Sequence, residues 1–154
     1  MEEISQAGTK RKVIALDLEG TLIASASNCR PRPGLYSFLE WCKSHFNQVV
    51  IYTCVDEVEF RLIADSLAEN NLAPAWFKYI AYIEWDGMIK DLYNIEGIKP
   101  QQAIIVDDAE IFISDAQKEQ WVEIKPFDYP YAAGDDEFAR VMDVIENKYF
   151  NNSV

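Results

Sequence analysis

The chain alternates short, nearly continuous apolar runs with longer segments of helical period, and that alternation limits the folds open to it. Val13 to Leu18, Gln48 to Cys54 and Ala103 to Val106 are short and rich in β-branched residues, as suits strands buried on both faces of a parallel sheet. Tyr79 to Ile83 and Trp121 to Ile124 are weaker strand candidates. Between them, Leu35, Phe38, Leu39 and Cys42 recur at helical spacing behind Pro33, a residue suited to a helix start. Asp56 is placed to cap a second helix, with Val58, Leu62, Ile63 and Leu67 as its apolar stripe. A third helix is expected from about Glu110 to Lys118. A last one runs from Asp135 to about Phe150, with Phe138, Val141, Met142 and Ile145 inward.

Strands alternating with helices predict the α/β class. The expected form is a three-layer α/β/α sandwich around a mainly parallel, Rossmann-like, five-stranded sheet joined by right-handed crossovers. The chain has 154 residues, and with no linker, repeat or low-complexity segment it reads as one domain over 12–150. Residues 1–11 are expected to be flexible and 151–154 to form a loose tail.

The formal net charge is -12. A surface that acidic repels polyanions and argues against general nucleic-acid binding, while a local cation can still admit a phosphorylated substrate to one cleft. Cys29, Cys42 and Cys54 are an odd number without CxxC spacing. They argue against a disulfide framework or zinc site, favour a reducing cytoplasm, and are each read as small buried apolar residues. No apolar run is long enough to span a bilayer, and the N-terminal stretch lacks the apolar core of a signal peptide, so a cytoplasmic location is expected.

In an open α/β sheet, ligands bind beyond the carboxyl ends of the strands where strand order reverses. Three strand ends carry polar residues there. In Asp17-Leu18-Glu19-Gly20-Thr21-Leu22, Asp17 and Glu19 share one side of an extended chain and Gly20 permits a tight exit. Thr53 places a hydroxyl after Ile51-Tyr52. Asp107 and Asp108 follow Ile104-Ile105-Val106, and adjacent carboxylates after a buried strand are costly unless a cation holds them. Four carboxylates converging in one cleft suit a hard divalent ion such as Mg2+, which takes oxygen ligands and leaves coordination for a phosphate.

These segments, in order, resemble the motifs of the haloacid dehalogenase superfamily. Asp17 to Leu22 is similar to its first motif (DxDGT and an apolar residue), Thr53 to its second, Lys90 to its third and Asp107-Asp108 to its fourth. Arg32-Pro33-Gly34, Phe38-Leu39 and Ile89-Lys90-Asp91-Leu92 add a resemblance to the capless RNA polymerase II C-terminal-domain phosphatases and the NLI-interacting-factor-like group. The resemblance covers roughly Lys12 to Lys125. It implies a Mg2+-dependent phosphomonoester hydrolase without a cap domain, acting through an aspartyl-phosphate on a phosphorylated substrate such as a phosphoprotein. Asp17 would be the nucleophile and Glu19 the general acid and base. Thr53 and Lys90 would bind phosphoryl oxygens. Asp17, Asp107 and the backbone carbonyl of Glu19 would hold the metal, with Asp108 a weaker or outer ligand. Lys78 and Lys99 are rival cations; Lys90 is preferred for its Lys-Asp-Leu context.

Two departures matter. Glu19 stands where the superfamily's phosphatases usually carry aspartate, and the side chain is longer by about 1.5 Å. A misplacement near 1 Å can cost roughly a hundredfold in rate, so turnover is expected to be reduced. Gly20 replaces the acidic residue typical of the C-terminal-domain phosphatases. The alternatives are a catalytically weak relative that binds a phosphorylated partner and a phosphotransferase. The segment Ile23 to Arg32 is expected to form a small flap, with Arg30 and Arg32 in a solvated loop.

Overall fold

All five strand candidates form strands, and their order in space explains why the carboxylates meet. The structure is a computed structural model that describes residues 12–150; the flexible N-terminus and loose tail expected at 1–11 and 151–154 lie outside the described residues. β1 (Val13–Leu16), β2 (Gln48–Ile51), β3 (Ala81–Tyr82), β4 (Ala103–Asp107) and β5 (Trp121–Glu123) make one all-parallel sheet of order β3-β2-β1-β4-β5. β1 is fully buried and central, which accounts for its unbroken apolar run. The chain builds outward from β1 to β3, then returns past β1 to lay down β4 and β5. A constant crossover hand requires connections made in opposite directions to pass over opposite faces.

One face of the sheet, with Ile14, Leu16, Ile51 and Val106, is packed by α1 (Leu35–His45), α2 (Glu57–Glu69) and α3 (Glu137–Ile145). Phe38 of α1 stacks on Phe138 of α3 with centroids 4.3 Å apart. The other face, with Val13, Ala15, Val50, Tyr52 and Ile105, is covered by Leu92, Ile95 and Ile113 from irregular segments and short 3-10 turns. Two helix expectations are corrected here. Glu110 to Lys118 is not one helix but two 3-10 segments, Glu110–Phe112 and Asp115–Gln120, separated by an extended Ser114. That break lets Ile113 turn inward and brings the Gln117 side chain back to Leu92. In α2, Val58 and Leu62 face solvent, and the buried stripe is Phe60, Ile63, Ala64 and Leu67. Those four sit at i, i+3, i+4 and i+7, so the large Phe60 sets the phase.

Asp56 caps α2 as expected, accepting the Glu59 amide at 2.9 Å. α1 begins at Leu35, two residues after Pro33, with Gly34 as its N-cap. The final helix continues past Ile145 as one π-type turn, Glu146–Phe150. Cys42 is buried, but Cys29 is half-buried and Cys54 exposed, so only one of the three cysteines is a core residue. Between β1 and β2 lie only a looped flap and α1. Between β2 and Lys90 lie α2, a 3-10 turn (Ala75–Tyr79) and β3, so neither connection holds a cap domain. No helix of the described residues is long and apolar enough to cross a membrane.

Candidate active site

Register alone places the first two carboxylates side by side. Leu16 pairs with Val106, and the Asp17 amide continues that ladder to the Val106 carbonyl at 3.0 Å. Asp17 and Asp107 therefore leave neighbouring strands at the position where strand order reverses. Lys90 reaches between them from the loop after β3. Its Nζ lies 2.9 Å from Asp17 Oδ1 and 2.6 Å from Asp107 Oδ2, with the lysine side chain 1% exposed. Thr21 donates its hydroxyl to Asp17 Oδ2 at 2.7 Å and sits 3.3 Å from Asp108 Oδ1. Asp107 Oδ1 accepts the Ala109 amide at 2.9 Å.

Two carboxylates and one ammonium in so dry a place do not balance. Burial pushes the Asp17 pKa up to about 7 against the opposing pull of Lys90. Burial and the charge of Asp17 push Asp107 up to about 6. For Lys90, burial works against the charged form, but the two carboxylates outweigh it and the pKa is raised. Asp17, Asp107 and Asp108 each offer an oxygen within 4.8 Å of the others. An all-oxygen donor set with excess negative charge fits a hard divalent cation. The side chain of Glu19 does not join these three; its Oε2 accepts the Ala26 amide of the flap at 2.7 Å.

The tight exit after Asp17 rests on Gly20. Its φ is +79°, and a Cβ there would lie 2.7 Å from Asp108 Oδ2, so the missing side chain is what lets Asp108 approach. Thr53 is buried just past β2, with Oγ1 accepting the Val55 amide at 3.1 Å. Trp85 ties it to the centre: the indole N–H donates to the Thr53 carbonyl at 2.8 Å, and Lys90 Nζ lies 5.7 Å from the ring. Of the rival cations, Lys78 sits in the 3-10 turn before β3 and Lys99 at the start of a turn before β4; neither pairs with these carboxylates. A separate groove of about 430 Å³, lined by Phe46, Gln48, Trp76 and Ala81 among others, opens where β2 and β3 begin, at the opposite end of the strands from the carboxylates.

Arg32 corrects the sequence reading. It does not lie in a solvated loop: it is 1% exposed. Its Nε contacts both Asp135 oxygens at 3.1 and 3.2 Å, and Nη1 donates to the Gly20 and Thr21 carbonyls at 3.2 and 3.3 Å. It thus clamps the turn after Asp17 to the entry of α3. Nothing local announces this, because its carboxylate partner lies 103 residues away. Arg30 stays exposed, 4.3 Å over the Tyr131 ring. Gln117 has no local sequence signal either. Its side chain accepts the Leu92 amide at 2.9 Å and donates to Asp91 Oδ1 at 2.8 Å, while Tyr52 holds the Asp91 carbonyl at 2.8 Å. Together they fix the loop that carries Lys90.

Comparison with known proteins agrees with this architecture. A family model described as NLI interacting factor-like phosphatase matches residues 12–154. Among solved structures, "The Structure of Fcp1, an essential RNA polymerase II CTD phosphatase" is similar with a TM-score of 0.53 and 13% identity. The alignment covers 96% of this chain and 50% of that one, so the chain spans half the length of that protein, and the likeness is one of fold. No curated protein sequence matches.

Proposed function

Because this chain belongs to the NLI interacting factor-like phosphatase family, we propose that its carboxylate cleft hydrolyses phosphate monoesters through a phosphorylated Asp17. The observation that carries the reading is the meeting of Asp17, Asp107 and Asp108, the first two bridged by Lys90, at the reversal of strand order. A carboxylate oxygen of Asp17 attacks phosphorus, the ester P–O bond breaks, and Glu19 protonates the departing oxygen. Glu19 then takes a proton from water as it attacks the aspartyl-phosphate, releasing phosphate and restoring Asp17. Lys90 and Thr53 hold phosphoryl oxygens. Asp17, Asp107 and the Glu19 carbonyl, with Asp108 beside them, would hold Mg2+. When bound, the ion supplies positive charge that offsets repulsion between carboxylate and phosphate.

Residues 12–150 act as one capless domain, and an open cleft suits a phosphoryl group presented by a phosphoprotein. Turnover is slow, because Glu19 is longer than aspartate and its carboxylate is engaged by the flap amide of Ala26. That same contact supports the alternative of a phosphate-binding relative with little turnover. Hydrolysis of an aryl phosphate with and without Mg2+ separates the two. Loss of activity in Asp17→Asn and a faster Glu19→Asp are expected. A fully active Asp17→Asn would remove Asp17 as nucleophile.

A further inference from the structure

Beside Thr53 a groove of about 360 Å³ opens whose lining includes Thr53, Asp56, Tyr82, Glu84, Trp85 and Asp86. It adjoins the reaction centre through Trp85, whose indole contacts the Thr53 carbonyl on one side and faces Lys90 Nζ at 5.7 Å. Thr53, assigned above to a phosphoryl oxygen, is itself part of the lining, so the groove begins where the phosphoryl group would bind.

The walls are aromatic and the rim is acidic. Among the described residues, Asp56, Glu84 and Asp86 take part in no ion pair. Asp56 and Asp86 accept only backbone amides, from Glu59 and Met88; the α2 dipole partly offsets Asp56, so Glu84 and Asp86 carry most of the rim's charge. Burial first, then the charges of Glu84, Glu57 and Asp56, hold the Tyr82 hydroxyl above its ordinary pKa, while at Cys54, beside Thr53, Lys90 opposes the burial that raises the thiol, so the negative field lies toward the rim. The rim carboxylates do not converge on a point as Asp17, Asp107 and Asp108 do. Their spread suits a long cationic side chain, its stem on the rings and its head at the rim, rather than a metal ion.

Resting on the phosphatase reading, we propose that this groove is a specificity subsite for an arginine or lysine next to the phosphorylated residue of a peptide substrate. Arginine is the better occupant, because its planar guanidinium stacks on Tyr82 or Trp85 while donating to Glu84 and Asp86. The same charge turns away acidic peptides, so selection is by repulsion as well as attraction.

The test is kcat/KM on phosphoserine peptides of equal length carrying arginine, alanine or glutamate on either side of the phosphoserine. Two exposed ion pairs with an aromatic contact are together worth about tenfold. An arginine peptide should lead its alanine counterpart by that factor, glutamate should trail, and added salt should narrow the ratio. Glu84→Gln with Asp86→Asn should remove the preference and leave kcat for aryl phosphate unchanged. Equal kcat/KM across the panel, with aryl phosphate still hydrolysed, overturns the subsite alone. Absence of aryl phosphate hydrolysis overturns the phosphatase reading. The subsite is then read from affinities of labelled peptides for Asp17→Asn, where equal Kd values refute it.

Discussion

Replacing Arg32 with methionine keeps most of the side chain's volume and removes its charge. The guanidinium is 1% exposed, and its partner Asp135 carries a side chain only 8% exposed. Loss of one member of a buried pair typically costs about 3–5 kcal/mol, because the other charge stays behind without a partner. Here the lower end applies. The four contacts are long, at 3.1 to 3.3 Å, and Asp135 Oδ1 keeps the Glu137 amide at 3.2 Å. We expect Arg32→Met to lose about 3 kcal/mol in urea unfolding, and Tm to fall by about 9 °C for a chain of this size. Arg32→Lys retains charge without the planar fork and should fall about midway. Adding Asp135→Asn to Arg32→Met should restore part of the loss, since the stranded carboxylate is then gone. The Gly20 and Thr21 carbonyls also lose their donor, so the turn after Asp17 loosens and aryl phosphate hydrolysis should slow with stability. A loss under about 1 kcal/mol for Arg32→Met, or strict additivity with Asp135→Asn, would refute the clamp.

Gly20→Ala should cost about 1–2 kcal/mol from the left-handed backbone alone. Combining it with Asp108→Ala relieves the 2.7 Å clash but leaves that backbone cost, so a double variant as stable as Asp108→Ala would contradict the account. Gln117→Leu strands the Leu92 amide and takes one of two donors from Asp91 Oδ1, which keeps the Tyr93 amide. It should lose about 2 kcal/mol in urea unfolding and about tenfold in kcat as Lys90 loses its anchorage; unchanged kcat would separate the loop from catalysis. For Glu137, hydrogen bonds from Arg140, opposed by burial and aided by the Lys125 amide, hold the pKa down from 4.5 to about 2. A depressed folded pKa gives stability that is complete above pH 4.5 and disappears as pH falls toward 2. The wild type should therefore exceed Glu137→Gln in unfolding free energy at neutral pH and converge with it near pH 2; a pH-independent gap would refute this.

Local periodicity determined much of this protein. Apolar runs such as Val13 to Leu18 and Ala103 to Val106 suit strands covered on both faces, and the helical segments between them are long enough for the crossovers that a parallel sheet needs. The positions of Asp17 and Asp107 were legible for the same reason, since residues that follow buried strands end at one edge of such a sheet; Lys90, eight residues past β3, was marked only by the resemblance of its Lys-Asp-Leu context. Tertiary contacts decided what periodicity leaves degenerate. In α2 both Val58–Leu62 and Phe60–Ile63–Leu67 are apolar faces, and only packing against the sheet selects the second. Glu110 to Lys118 has helical composition, but burying Ile113 and bringing Gln117 to Leu92 requires a break at Ser114. Arg32 shows the limit most sharply. A charge is buried only where a distant charge meets it, and Asp135 lies across the fold, where no local pattern of the chain can report its arrival.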